Sequence, residues 1–199
     1  MTRIRPTSAS SEASSEPPVA DGDRVERIAH TLAGVWGHRA EAHRAYTAAT
    51  DALRASGTLP PRLVELLRLR IAFHNQCRTC MASRRTPDLV GEDLVCSLER
   101  PYEAPDLTDA ERAALRFADL FASDHLSIDD AVYDSLRVHF AEGELVELGM
   151  TCAYFVGFGR LAATWDIVED LPSDFADRGG EPITPWGHQE VVALTTPRR

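Results

Sequence analysis

Lysine is absent: all 21 basic residues of this 199-residue chain are arginines. That removes a Schiff-base lysine and a P-loop lysine from the chemistry open to it. Cysteine is scarce, and four in this length do not make the disulfide framework of a small secreted domain. A reducing cytoplasm is therefore the expected compartment. No uncharged apolar run is long enough to span a bilayer, and no apolar segment follows Arg3 and Arg5 to complete a secretory signal. Positive charge is in deficit too. The 31 acidic residues leave a formal net charge of −10, which argues against nucleic acid or an anionic membrane as a partner.

What is present reads as one helical domain with tails. Residues 1–20 are rich in Ser, Glu and Pro and too poor in apolar groups to order themselves, so a disordered tail is expected. The domain should run over 21–170, as an all-α fold of about seven or eight helices. Within it, 23–55 has helical periodicity with a break at Gly34 and Gly37. Thr108 and Glu111 form a capping box ahead of Leu115, Phe117, Ala118 and Phe121, and another helix is expected from Asp129 to Phe140. His30, His38 and His43 lack a metal-ligand spacing and read as solvated or capping histidines. No metal or cofactor is expected. From 171 to 199 the prolines Pro172, Pro182 and Pro185 and the pair Gly179-Gly180 suggest an arm. Its Trp186 and Val191 to Leu194 need burial, and a neighbouring subunit would supply it, so a homo-oligomer is expected.

The chemistry concentrates in Pro60 to Arg85. Leu63, Leu66, Leu67, Ile71 and Phe73 recur near helical spacing after Pro60-Pro61. His74-Asn75-Gln76 interrupts them, with Asn75 placed to cap a second helix carrying Cys77 and Cys80. Such a hairpin sets Glu65 opposite Arg84, with Arg84 on the same face as Cys80 four residues before it. A helix N-terminus and a nearby cation both favour the thiolate, the nucleophilic form of cysteine. Two thiols three residues apart can attack and resolve, whereas half a zinc site or two buried small hydrophobes are the plainer alternatives. Cys96 and Cys152 stand alone, and Cys96 falls among apolar positions as core filler.

Glu65 followed twelve positions later by Cys77-Arg78-Thr79-Cys80 resembles the signature of the carboxymuconolactone decarboxylase family, in its alkylhydroperoxidase (AhpD-like) branch. The resemblance covers about 40–168 and includes the stretch from Leu107 to Ile167. It implies an all-helical, usually oligomeric protein that reduces peroxides with its dithiol. Cys80 would attack, Cys77 would resolve, and Glu65 would belong to a proton relay. The family's relay histidine, four residues after the second cysteine, is replaced here by Arg84. Arginine can hold a thiolate by charge but stays protonated and cannot shuttle a proton near neutral pH. His74 is the other imidazole close in sequence.

The function expected is therefore reduction of a small hydroperoxide or disulfide, with an external dithiol of lipoyl or thioredoxin type regenerating the pair. A lyase of the decarboxylase type acting on a small carboxylic acid, or a non-catalytic redox-sensing module, are the competing readings. One further pattern separates two carboxylates. Leu63-Val64-Glu65-Leu66 recurs as Leu145-Val146-Glu147-Leu148, displaced by 82 residues, but the second copy has Gly159 and Ala162 where the first has cysteines. Glu147 is accordingly expected to be a surface or capping carboxylate.

Overall fold

A computed structural model of the chain describes residues 2–7, 22–177 and 182–194. The fold is all-α, as the periodicity implies. Helices α1 (Gly22–Gly37) and α2 (Ala40–Ser56) form a hairpin that breaks at Gly37, and α3 (Pro61–Asn75) starts at the double proline. A five-residue helix α4 (Arg78–Ala82) carries the cysteine pair, followed by α5 (Glu92–Cys96), α6 (Asp109–Ser123) and α7 (Asp130–Arg137). The long α8 (Glu142–Trp165) and the short α9 (Ser173–Ala176) complete the helices of the described residues. The capping box of α6 forms on both sides: Thr108 Oγ1 accepts from the Glu111 N–H, and the Thr108 N–H donates to Glu111.

The core lies where α3, α6 and α8 meet. Leu63, Leu66, Leu67 and Ile71 of α3 pack with Leu115 and Phe117 of α6 and Leu145, Leu148 and Cys152 of α8. α3 is buried on nearly all sides, which explains its apolar density and makes its charged positions informative. Gly159 sits at the α3–α8 crossing, where a Cβ would collide with the side-chain amide of Asn75. α8 is long and apolar enough to cross a membrane by length and composition, yet its Leu145, Leu148, Thr151, Cys152 and Gly159 are buried inside the domain.

Several local expectations are corrected. Asn75 ends α3 and does not cap α4. Gln76 takes the left-handed conformation (φ 49°), and the cap position of α4 is Cys77. The Gln76 side chain offsets that conformation by bonding Phe73 O (2.8 Å) and both the O and N–H of Ile183 (3.0 Å each). Cys96 is exposed, because α5 turns Leu94 and Val95 inward and leaves position 96 facing out.

The C-terminal arm folds onto its own chain. Trp186 is buried against Phe73, with ring centroids 5.0 Å apart, and Phe175 and Val192 pack with Met81, Ala82 and Leu171. Trp186 thus needs no second subunit to leave water. Residues 2–7 also lie on the body, where the Arg3 N–H donates to Trp165 O (2.8 Å) and the Thr7 N–H to Gly34 O (3.0 Å). The rest of the expected disordered tail lies outside the described residues.

Candidate functional site

Cys77 and Cys80 are joined by a disulfide, with Cα atoms 5.2 Å apart. Their environments differ. Cys77 is buried at 1% exposure, while Cys80 is partly exposed and lines a cavity of about 180 Å³. The hairpin that presents them closes after the left-handed turn at Gln76, where the Cys77 N–H donates back to Ala72 O (3.1 Å). α4 is too short for its dipole to dominate, so side-chain cations set the electrostatics near Cys80.

Two of those cations were not singled out by the sequence. Arg68, buried on α3, makes a two-pronged ion pair with buried Glu65, at 2.7 Å on each arm. The same guanidinium donates to Cys80 O (2.7 Å) and Ser83 O (2.6 Å), so it ties Glu65 to both ends of the cysteine turn. Glu65 also accepts the backbone N–H of Arg85 at 2.8 Å. Burial pushes the Glu65 carboxyl up, but the Arg68 charge and hydrogen bonds and the Arg85 N–H outweigh it and leave its pKa below the usual value. Glu65 is an ionised structural bracket in this state.

Arg84 does not meet Glu65 or Cys80. The chain leaves α4 at Ala82 and becomes extended, and Ser83–Arg84 (β1) pairs in parallel with Val192–Ala193 (β2). Alternate side chains of an extended chain point to opposite sides. Ser83 and Arg85 therefore line the Cys80 cavity while Arg84 points away. All five Arg84 donors are used: two on Glu92 (2.7 and 2.9 Å), and the others on Met81 O, Ser83 O and Pro185 O. At 1% exposure it is a buried staple between the cysteine turn, α5 and the C-terminal arm.

Arg85 occupies the place expected of Arg84. Its side chain is exposed, and the protein atoms around the guanidinium together with the neighbouring Arg68 lower its pKa to about 10, so it remains a cation at neutral pH. Much of the remaining lining is apolar and aromatic, with Leu32 and Trp36 from α1 and Tyr154 and Phe158 from α8. Trp36 stacks on Phe158 at 5.3 Å, which fixes α1 over the cavity.

His74 is held elsewhere. Its Nε2 lies 2.7 Å from Asp119, which also takes both Arg70 arms (2.7 and 3.0 Å) and the Tyr102 hydroxyl (2.6 Å). Burial works against the charge on Asp119, but these donors prevail and bring its pKa down to about 2. His74 faces a different, larger cavity of about 340 Å³, which Cys80 does not line. Glu147 behaves as its position in the repeat suggests: it caps the chain before α3, accepting from the Thr58 N–H (2.7 Å), the Thr58 hydroxyl (3.0 Å) and the Leu59 N–H (3.2 Å). The sequence signal that could have found Arg68 is its i,i+3 spacing from Glu65 within an otherwise apolar helix. Nothing local marks Arg85.

Comparison with solved structures rests on this arrangement of helices. The fold is AhpD-like. An uncharacterized peroxidase-related protein from Silicibacter superposes with a TM-score of 0.62 at 17% identity, covering 89% of this chain and 98% of that one. An Agrobacterium tumefaciens protein of unknown function, associated with AhpD and antioxidant defence, gives 0.59 at 24% identity over 65% of this chain and 91% of its own. An alkylhydroperoxidase AhpD core protein from Ralstonia eutropha, also uncharacterized and peroxidase-related, gives 0.57 at 22% identity over 78% and 82%. At these identities the likeness is one of fold. An uncharacterized protein of Mycobacterium tuberculosis, matched in two strains, is 33% identical over 120 residues, which is 57% of this chain but 41% of that protein. The chain thus spans about two fifths of the curated relatives it matches. No family model matches.

Proposed function

We propose that the chain is a thiol-dependent peroxidase-type oxidoreductase in which Cys80 attacks and Cys77 resolves. The observation that carries this reading is the asymmetry of the disulfide: one sulfur is sealed in the core and the other opens onto a cavity with a cation beside it. In the reduced protein, the Cys80 thiolate attacks the outer oxygen of a hydroperoxide. The O–O bond breaks, Cys80 becomes a sulfenic acid, and the alkoxide takes a proton to leave as the alcohol. The Cys77 thiol then displaces hydroxide from that sulfur, water forms, and the disulfide closes. An external dithiol, lipoyl-type or thioredoxin-like, returns both cysteines to thiols and is itself oxidised to a disulfide.

Arg85 favours the thiolate and the developing alkoxide by charge. Ionised Glu65 has no proton to give, and Arg85 is a far weaker acid than an imidazolium, so protonation of the alkoxide is poorly assisted and turnover is slow. Self-association belongs to the same reading. Val146, Met150, Ala153, Gly157 and Leu161 form an exposed stripe along α8 at helical spacing, with the two smallest residues where a second helix could approach most closely.

The test is a single turnover. Protein reduced with dithiothreitol and freed of it is mixed with tert-butyl hydroperoxide, and the masses of the thiol and disulfide forms are followed. Reformation of the Cys77–Cys80 disulfide with one equivalent of alcohol released is expected, and Cys80→Ser should release none. A reduced protein that ignores millimolar hydroperoxide would leave the pair as a sensor or a structural clasp.

A further inference from the structure

Building on the peroxidase reading, we propose that the Cys80 cavity is made for a small hydroperoxide that carries a carboxylate on an aryl or short alkyl body. The carboxylate would be held by Arg85 and the peroxide turned toward Cys80.

The charges around the cavity support an anion. Arg68 has its charge matched by Glu65 and four of its five donors committed to Glu65, Cys80 O and Ser83 O. Both Glu65 oxygens are already engaged by Arg68, and one also accepts the Arg85 N–H. The Arg85 guanidinium is left with no hydrogen bond or ion pair among the described residues, and the nearby Arg54 is paired with Asp51 at 3.1 Å. The cluster of Glu65, Arg68 and Arg85 therefore carries one net positive charge, in a chain whose formal net charge is −10. A guanidinium with free donors at an apolar wall matches a carboxylate in shape and charge.

The rest of the cavity limits the body of the ligand. Trp36, Tyr154 and Phe158 offer flat apolar surface, and about 180 Å³ lies below the range of roughly 300–1,000 Å³ typical of pockets for drug-sized ligands. An aromatic acid or a short-chain acid suits that space better than a long-chain lipid.

A matched pair of substrates tests the idea: cumene hydroperoxide and its 4-carboxylate derivative, with initial rates on the natural protein and on Arg85→Gln and Arg85→Lys. The natural protein should favour the carboxylate in kcat/KM by about tenfold or more, the scale of a charge-assisted hydrogen bond. The ratio should fall close to one in Arg85→Gln, survive in part in Arg85→Lys, and shrink with added salt. The ratio is the readout because Arg85 also acts on the thiolate, an effect common to both substrates. A ratio near one in the natural protein, or one unchanged in Arg85→Gln, overturns the proposal.

A second arm needs no turnover. Benzoate should slow alkylation of reduced Cys80 by neutral iodoacetamide several-fold, and should do nothing in Arg85→Gln. If both hydroperoxides are inert while benzoate protects, the peroxidase reading fails and the anion site stands. If they are consumed but benzoate gives no protection and the ratio is one, the anion site fails and the peroxidase reading stands.

Discussion

Glu65 accepts the backbone N–H of Arg85, at 2.8 Å, and makes no bond to the side chain of Arg84. A hairpin of two helices would have brought residues 65 and 84 together through their side chains. The chain does return to Glu65, but it arrives in an extended conformation, so the contact is made one residue later and by the backbone. The arginine that shares a cavity with Cys80 changes with it.

Exchanging these two arginines for histidine should therefore give opposite results. Arg84→His removes a buried group with five hydrogen bonds and leaves Pro185 O and Met81 O without their donor. We expect a loss of roughly 2–4 kcal/mol, discounted because Glu92 is partly exposed, and no gain in peroxide turnover. Arg85→His places an imidazole on the cavity wall and should speed turnover of neutral hydroperoxides near pH 7 relative to Arg85→Gln, since general acids contribute about 10²–10⁴-fold. Denaturant midpoints and initial rates check both. A faster Arg84→His protein would contradict the assigned geometry.

The two cysteines should differ in reactivity once reduced. Alkylation mapped by peptide mass should mark Cys80 well before buried Cys77 at pH 7. Cys77→Ser should trap a sulfenic acid on Cys80 that dimedone labels, whereas Cys80→Ser should yield no adduct at position 77. Cys152 should stay unlabelled until the protein unfolds, because burial pushes its thiol up to about 12. Equal labelling of Cys77 and Cys80 would remove the basis for assigning their roles.

Acid should weaken the fold through Asp119. Its pKa is about 2 in the folded protein against 3.8 for a free aspartate, so the folded value is depressed. The stabilisation is then present above about pH 4 and is lost as pH falls toward 2, amounting to about 2 kcal/mol. Urea midpoints of the natural protein and Asp119→Asn should differ at pH 6 and converge between pH 4 and 2. A gap that stays constant across this window would mean that the His74, Arg70 and Tyr102 cluster does not hold the charge on Asp119.

Assembly should depend on α8 and not on the C-terminal arm. Met150→Asp puts a charge in the middle of the exposed stripe and should shift light scattering toward the monomer, without change in the helical signal. Trp186→Ala should instead lower stability by about 3–5 kcal/mol, because it opens a hole against Phe73 within the same chain. A natural protein that scatters as a monomer would leave the stripe without the partner assigned to it.

The sequence by itself determined the long helices and the closeness of Cys77 and Cys80. The proline start of α3, the Thr108–Glu111 box and the Glu65, Cys77 and Cys80 spacing are local patterns, and local patterns act through neighbours three or four residues away. The lone repeat of Glu65 at Glu147, without cysteines, also marked Glu147 as a surface or capping carboxylate, and the structure makes it a cap. The tertiary structure alone decided which arginine attends Cys80, where His74 points and what covers Trp186. Each depends on segments far apart in the chain: Val192–Ala193 draws Ser83–Arg84 out of the helix, Asp119 takes His74 away from the cysteines, and Phe73 receives Trp186. Helical spacing continued past Ala82 would put Arg84 beside Cys80. Once a strand pairs there the side chains alternate instead, and Arg85 takes the cavity.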